Sequence, residues 1–240
     1  MHFSLFAWLR AAALASICLF GPKLALAQPS GALQSGTVAP VVAASPALEL
    51  TPQKSGKALA QLRAFIAATS SARGEFRQET LGAGARPAQT ASGNFAFARP
   101  GRFRWQVNRP FEQLMVADGQ RLWSFDKDLN QVIERPLNGS LGSSPAALLF
   151  GSQPLESAFE LNEAGRHDGL DWLLALPKSR DAGFERIAIG FRAGLPASMQ
   201  VLDAFGRTTR FAFNAIERNP VLAASSFVFS APPGADLIRQ

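Results

Sequence analysis

The sequence predicts a mainly β domain, an antiparallel meander of about ten short strands with two short helices. Three observations predict it. Apolar and polar residues alternate with a period of two through much of residues 75–229, tight-turn dipeptides separate the alternating runs, and only two stretches repeat with a helical period. There is no alternation of strand and helix of the kind that builds parallel sheets, and no internal repeat.

The chain opens with a segment expected to be absent from the mature protein. Arg10 is followed by an unbroken apolar run at residues 11–20, then by Gly21-Pro22-Lys23 and the small-x-small site Ala25-Leu26-Ala27. That order is a secretory signal peptide, read here as residues 1–27. The run is too short for a bilayer core of roughly 30 Å, which needs about 20 apolar residues. Cys18 is the only cysteine and lies inside the leader. The bulky Ile17 before it is wrong for lipoprotein cleavage, so the mature chain is expected to lack disulfides and thiol chemistry. Residues 28–50, rich in Ala, Pro, Ser, Gly and Val without lasting periodicity, are read as a disordered leader. Residues 51–240 are read as one domain, long enough to bury a core without staples.

Thr51-Pro52 can cap and start a helix, because proline in the first turn gives up an N–H that has no intrahelical partner anyway. Leu59, Leu62, Phe65 and Ile66 then recur at helical spacing, which predicts one amphipathic helix of about four turns ending near Thr69. Alternating runs follow at residues 75–80 and 93–98, with Pro100-Gly101 as a turn. Phe103, Trp105 and Val107 form the next apolar face, against Arg102, Arg104 and Gln106. Residues 114–117 and 120–125 flank the hairpin dipeptide Asp118-Gly119, and residues 130–134 add a further strand. Ser144-Pro145 caps a short apolar helix at 146–150, stopped by Gly151. Strands resume at 170–176, 184–191, 198–203, 208–215 and 227–229, and Pro232-Pro233-Gly234 ends the last.

Chemistry-bearing residues are sparse. The full chain carries net charge +6, and loss of Arg10 and Lys23 with the leader leaves 22 basic against 18 acidic residues, a net +4. The basic residues are scattered and no nucleic-acid-reading module is present, so nucleic acid is not an expected partner. Outside the leader His167 is the only histidine, in the polar turn Gly165-Arg166-His167-Asp168-Gly169. No metal site can be assembled around it, no serine has a base near it in sequence, and no glycine-rich phosphate loop opens a helix. The acidic pairs Asp126/Asp128 and Asp168/Asp171 could hold a cation but lack a calcium-loop pattern. No catalytic residue, no metal and no cofactor is expected. What stands out is phenylalanine, 19 residues in all with no tyrosine. A sheet covered by only two small helices leaves an apolar face to be filled by side chains or by a guest.

Six blocks in order carry a resemblance. They are residues 72–78 (ARGEFRQ), 93–105 (GNFAFARPGRFRW), 116–123 (VADGQRLW), 128–132 (DLNQV), 144–149 (SPAALL) and 227–236 (FVFSAPPGAD). From about Lys57 to the C-terminus the chain resembles the periplasmic outer-membrane lipoprotein carrier family. The resemblance implies a strongly curved, incomplete antiparallel β-barrel, with short helices forming a lid over a hydrophobic cavity. It implies a monomeric periplasmic chaperone of acylated lipoproteins, served by an inner-membrane lipoprotein-releasing ABC transporter and an outer-membrane lipoprotein receptor. The family's lid-latching arginine falls on Arg99, and its cargo-transfer aromatic on Phe103, with Trp105 next on the same path. Cavity lining is expected from Phe95, Phe97, Leu114, Val116, Trp123, Phe191 and Phe213, and the lid from Leu59, Leu62, Phe65, Ile66, Leu148 and Leu149. A glutamate at Phe103 is expected to stay solvated and leave the fold standing. The residues 28–50 are longer than the family usually shows, and 161–168 match loosely. Relatives of the same fold bind a sigma-factor regulator or free lipids, so an envelope stress sensor or lipid binder is the alternative. A sensor would be expected to carry a second domain.

The carrier reading is physically consistent. Each methylene withdrawn from water is worth about 0.8 kcal/mol, so an acylated protein cannot diffuse freely with its chains exposed. A carrier must shield them and then let go, which calls for an apolar surface and no covalent chemistry.

Overall fold

The computed structural model describes residues 50–54, 56–81, 89–137, 155–179 and 182–240, all within the unit Pro46–Gln240. The expected signal peptide, nearly all of the 28–50 leader, and the second helix with Leu148 and Leu149 lie outside the described residues.

Helix α1, Ala58–Ala68, precedes β1, Ser71–Leu81, and the strands follow as β2, Gln89–Ala98; β3, Arg102–Arg109; β4, Gln113–Asp118; β5, Arg121–Asp126; and β6, Gln131–Pro136. After the one-turn helix α2, Leu155–Ala158, come β7, Phe159–His167; β8, Leu170–Pro177; β9, Phe184–Arg192; β10, Leu195–Asp203; β11, Thr208–Arg218; and β12, Asp236–Arg239. All twelve strands form one sheet in the order β12-β6-β5-β4-β3-β2-β1-β11-β10-β9-β8-β7. Neighbours are antiparallel except β12 and β6, which run parallel.

This architecture corrects the expectation of a strongly curved, incomplete barrel. The sheet is a single open layer, neither closed nor strongly curled, and its terminal strands β7 and β12 do not pair with each other. Closure requires the two edge strands to hydrogen-bond, and here each has a different neighbour. Gln53 bridges Glu163 at the free edge of β7, and β12 ends the sheet on the far side of β6. The all-antiparallel expectation is corrected by the same parallel β12, which brings the C-terminal segment back alongside β6.

Register sorts the side chains onto two faces. Phe97 lies opposite Phe103 and Phe95 opposite Trp105; Phe76 lies opposite Phe213 and Gln78 opposite Phe211. Met199 opposite Phe211, then Ile189 opposite Met199 and Leu173 opposite Ile189, carry the same face across to β8. α1 packs over β7 to β10 on this face, burying Ala58, Leu62 and Phe65, with the Phe65 ring edge-on to Phe97 at 6.5 Å. We call it the helix face.

On the far face two clusters form. Trp172, Leu174, Leu170, Ala164 and Ala188 pack with Leu50. At the other end of the sheet Trp123 and Phe125 meet Phe229, with ring centroids 6.1 and 6.2 Å apart, and Arg102 lies over Phe227. The strand expected at 227–229 is a 3-10 turn, Ala224–Phe227, followed by extended chain, which plugs this face with the buried Phe227 instead of adding a ladder.

Two further differences have local causes. α1 starts at Ala58 rather than at Thr51-Pro52, because the preceding residues are drawn to the sheet edge by Gln53. β7 runs into the stretch 161–183 where the sequence leaves the strand boundaries open. Its alternation is broken by an irregularity between Glu163 and Arg166, which hides a period-two pattern in the sequence.

Candidate functional site

At the middle of the helix face lies a group of aromatic rings. Phe76 stacks on Trp105 with centroids 3.9 Å apart, and Trp105 continues to Phe95 at 6.0 Å and Phe211 at 5.7 Å. Phe213 meets Phe95 edge-on at 5.7 Å and stacks with Phe211 at 6.3 Å. Two glycines make room for this. A Cβ on Gly74 would sit 2.8 Å from the Phe95 ring, and one on Gly93 would sit 2.9 Å from the Phe76 ring. Phe76, Phe95 and Phe213 are buried, whereas Trp105 and Phe211 are only half-buried. The helix face therefore presents apolar ring surface that is only partly covered.

The helix itself is tied to the sheet by polar groups at both ends. At its N-terminus the Ala58 and Leu59 N–H groups donate to the two carboxylate oxygens of Glu163, each at 3.0 Å. Gln61 donates to Asp171 at 2.7 Å and accepts from the Gly194 N–H at 2.9 Å. At the C-terminal end Arg99 Nε donates to the Thr69 carbonyl at 3.0 Å, and its guanidinium lies 5.0 Å from the Phe97 ring centroid. Asn219 donates to the Ala68 carbonyl and accepts from the Ser70 N–H. Burial pushes the Arg99 pKa below its ordinary value, yet a guanidinium stays charged at any physiological pH. Among the described residues no group of three or more His, Cys, Asp or Glu could hold a metal.

The sequence signature described as "Outer membrane lipoprotein carrier protein LolA" matches residues 67–230. The outer-membrane lipoprotein carrier protein of Ralstonia nicotianae is 53% identical over 188 residues, covering 76% of this chain and 87% of that one. The carrier of Chromobacterium violaceum is 40% identical over 198 residues, covering 82% and 95%. The chain belongs to the outer-membrane lipoprotein carrier family. Among solved structures, an uncharacterized conserved protein from Thermus thermophilus aligns with a TM-score of 0.49 at 14% identity, over 76% of this chain and 96% of that one.

In this carrier the expected site residues do not all share a face. Phe95, Phe97, Phe103, Trp105, Phe191 and Phe213 lie on the helix face by register. Leu114, Val116 and Trp123 lie on the far face, where Val116 is paired directly with Trp123 and Leu114 with Phe125. Three hairpins separate β2 from β5, but the register is what decides the side, and the sequence alone does not supply it. Phe103 is 2% exposed and packs among the largest fully buried side chains with Phe97. A glutamate there would place a carboxylate out of reach of water, contrary to the solvated glutamate expected from the sequence. In α1, Leu62 and Phe65 are buried and Leu59 and Ile66 half-buried.

The acidic pairs considered for a cation have structural tasks. Asp126 Oδ1 accepts from the Asp128 and Leu129 N–H groups and its Oδ2 from Gln113; Asp171 binds Gln61. Glu163, Gln61 and Asn219 were missed by sequence reasoning. Glu163 sits in the irregular strand that no pattern disclosed, and nothing in a sequence marks a carboxylate that reaches a helix 104 residues earlier.

Proposed function

We propose that the ring surface around Trp105 and Phe211 is the seat of the acyl chains. The protein is a periplasmic lipoprotein chaperone and not an enzyme. In our reading it takes acylated lipoproteins from an inner-membrane lipoprotein-releasing ABC transporter and gives them to an outer-membrane lipoprotein receptor, acting as a monomer exported by cleavage of residues 1–27. The observation that carries the seat is the half-burial of Trp105 and Phe211, which meet each other at 5.7 Å among otherwise buried rings on the face that α1 shares. Adjoining apolar rings left accessible on one face, unlike singly scattered ones, are what a binding surface presents. Arg99, gripping the Thr69 carbonyl next to α1, favours the empty arrangement and so assists release.

The test uses inner-membrane vesicles that contain the transporter and a triacylated lipoprotein, supplied with ATP and the mature protein. Release of lipoprotein as a soluble complex is expected with the parent and with Trp123→Ala, and at least tenfold less with Trp105→Ala/Phe211→Ala. Equal release by the double variant would place the acyl chains elsewhere.

A further inference from the structure

The helix face runs on past Trp105 toward the β6 side of the sheet. Register places Trp105 opposite Met115, Met115 opposite Ser124 and Ser124 opposite Ile133, so these four form one row across β3 to β6. In the neighbouring row Leu122 lies opposite Arg135. Residues directly opposite share a face, so Ser124 and Arg135 are diagonal neighbours on the helix face. Ser124 stands two strands from Trp105, roughly 10 Å at about 4.8 Å per strand. Both polar groups are orphans. Ser124 is 0% exposed and its Oγ has no hydrogen-bond partner; Arg135 is half-buried and its buried Nε has none either. The nearby acids are committed elsewhere. Glu134 lies opposite Trp123 on the far face and pairs with Arg121 and Arg239. Asp126, next after Ser124 on the helix face, takes Gln113 and the Asp128 and Leu129 N–H groups. Buried polar groups in folded proteins are nearly always hydrogen-bonded, so two orphans side by side on an apolar face call for a partner from outside the chain. A guanidinium only donates and a hydroxyl can donate, so that partner is an acceptor oxygen.

We propose that Ser124 and Arg135 bind the ester carbonyl oxygens at the head of the acyl chains, while the chains lie over Met115 toward Trp105. The inference rests on the acyl chains binding the helix face, and it gives the bound chains a direction. A phosphate or carboxylate head would suit the same donors. Ester carbonyls are favoured because the diacylglyceryl anchor of an acylated lipoprotein carries them on the chains themselves. An ester gives up its water when its chain is bound to an apolar face, and two waiting donors replace what it loses. A site built this way tells an ester-linked chain from a bare hydrocarbon of the same length, since the latter leaves the donors unpaired.

Titration of the mature protein with two lipopeptides tests it. One carries a dipalmitoylglyceryl cysteine, and the other is its dihexadecyl ether analogue, with the same chains and no ester carbonyls. The parent is expected to bind the ester probe at least about tenfold more tightly than the ether probe. Arg135→Met should bring the two affinities within about twofold of each other, and Ser124→Ala should narrow the gap several-fold. Arg135→Lys, which keeps the charge but loses the planar fork, should fall between Arg135→Met and the parent and serves if Arg135→Met does not fold. Side chains that only supported the fold would weaken both probes alike and leave their ratio unchanged; that outcome overturns the proposal. So does a parent that binds the two probes equally. Palmitate is the third probe: tighter binding of palmitate than of the ester probe, lost in Arg135→Met, would assign the donors to a carboxylate and overturn the ester. Trp105→Ala is expected to weaken both lipopeptides and keep the preference for the ester. If it changes neither affinity the acyl seat is wrong, while the parent's ester-to-ether ratio still decides whether the carbonyls are recognised.

Discussion

Both faces of the sheet carry clustered aromatics, and what differs is their cover. On the far face Trp123 and Phe125 meet Phe229 from the chain's own C-terminal segment, which is pinned by the parallel β12–β6 pairing and by Asn130 donating to the Gly234 carbonyl. On the helix face Trp105 and Phe211 are only half-buried, and the helix on that face is held by a few hydrogen bonds. A cover knitted into the ladder separates only when the sheet comes apart. A cover held by side chains can move while the sheet stays whole. The same residue types thus make a core on one side and a surface able to receive a guest on the other.

The largest effect should come from breaking the permanent cover. Phe227 is 1% exposed, so Phe227→Ala is expected to lower stability by about 3–5 kcal/mol. Urea denaturation would measure it, and the folded fraction should still bind lipopeptide normally. A loss of binding without loss of stability would erase the distinction between the faces.

Trp105→Ala should do the reverse. Its ring is half-buried, so the stability cost is expected at about 1–2 kcal/mol, while lipopeptide affinity falls at least about tenfold, or 1.4 kcal/mol. Titration calorimetry beside thermal melting separates the two quantities. Arg99→Leu removes a charge-assisted bond to Thr69, worth about 1.5 kcal/mol. It should load cargo as well as the parent and pass it to purified receptor several-fold more slowly, because the empty arrangement no longer competes with the loaded one. Equal transfer by the two proteins would remove Arg99 from the cycle. The smallest effect on binding is expected for Trp123→Ala, with affinity within about twofold of the parent, since its ring meets Phe229 on the far face. A tenfold loss there would mean that cargo reaches both sides.

Much of this was legible beforehand. Alternation, or an apolar run between turn residues, located ten of the twelve described strands, because a strand must bury at least one apolar face. Helical spacing located the buried stripe Leu62 and Phe65. The two missed strands show where pattern ends. β7 is irregular between Glu163 and Arg166, and β12 is four residues long with no buried side chain. Neither leaves a periodic trace.

By itself the sequence determined the strand class, the aromatic load, the absence of a recognisable catalytic pattern and, through six ordered motifs, the family. Those are properties of local patterning and residue chemistry. Only the tertiary structure decided that the sheet stays open, that Trp123 and Trp105 face opposite ways, and that Glu163 caps a helix 104 residues away. Each depends on pairing register or on contacts between distant segments. A one-residue shift in register turns a whole strand over, and the energy that selects the register is summed across the assembled sheet, where no single stretch of chain encodes it.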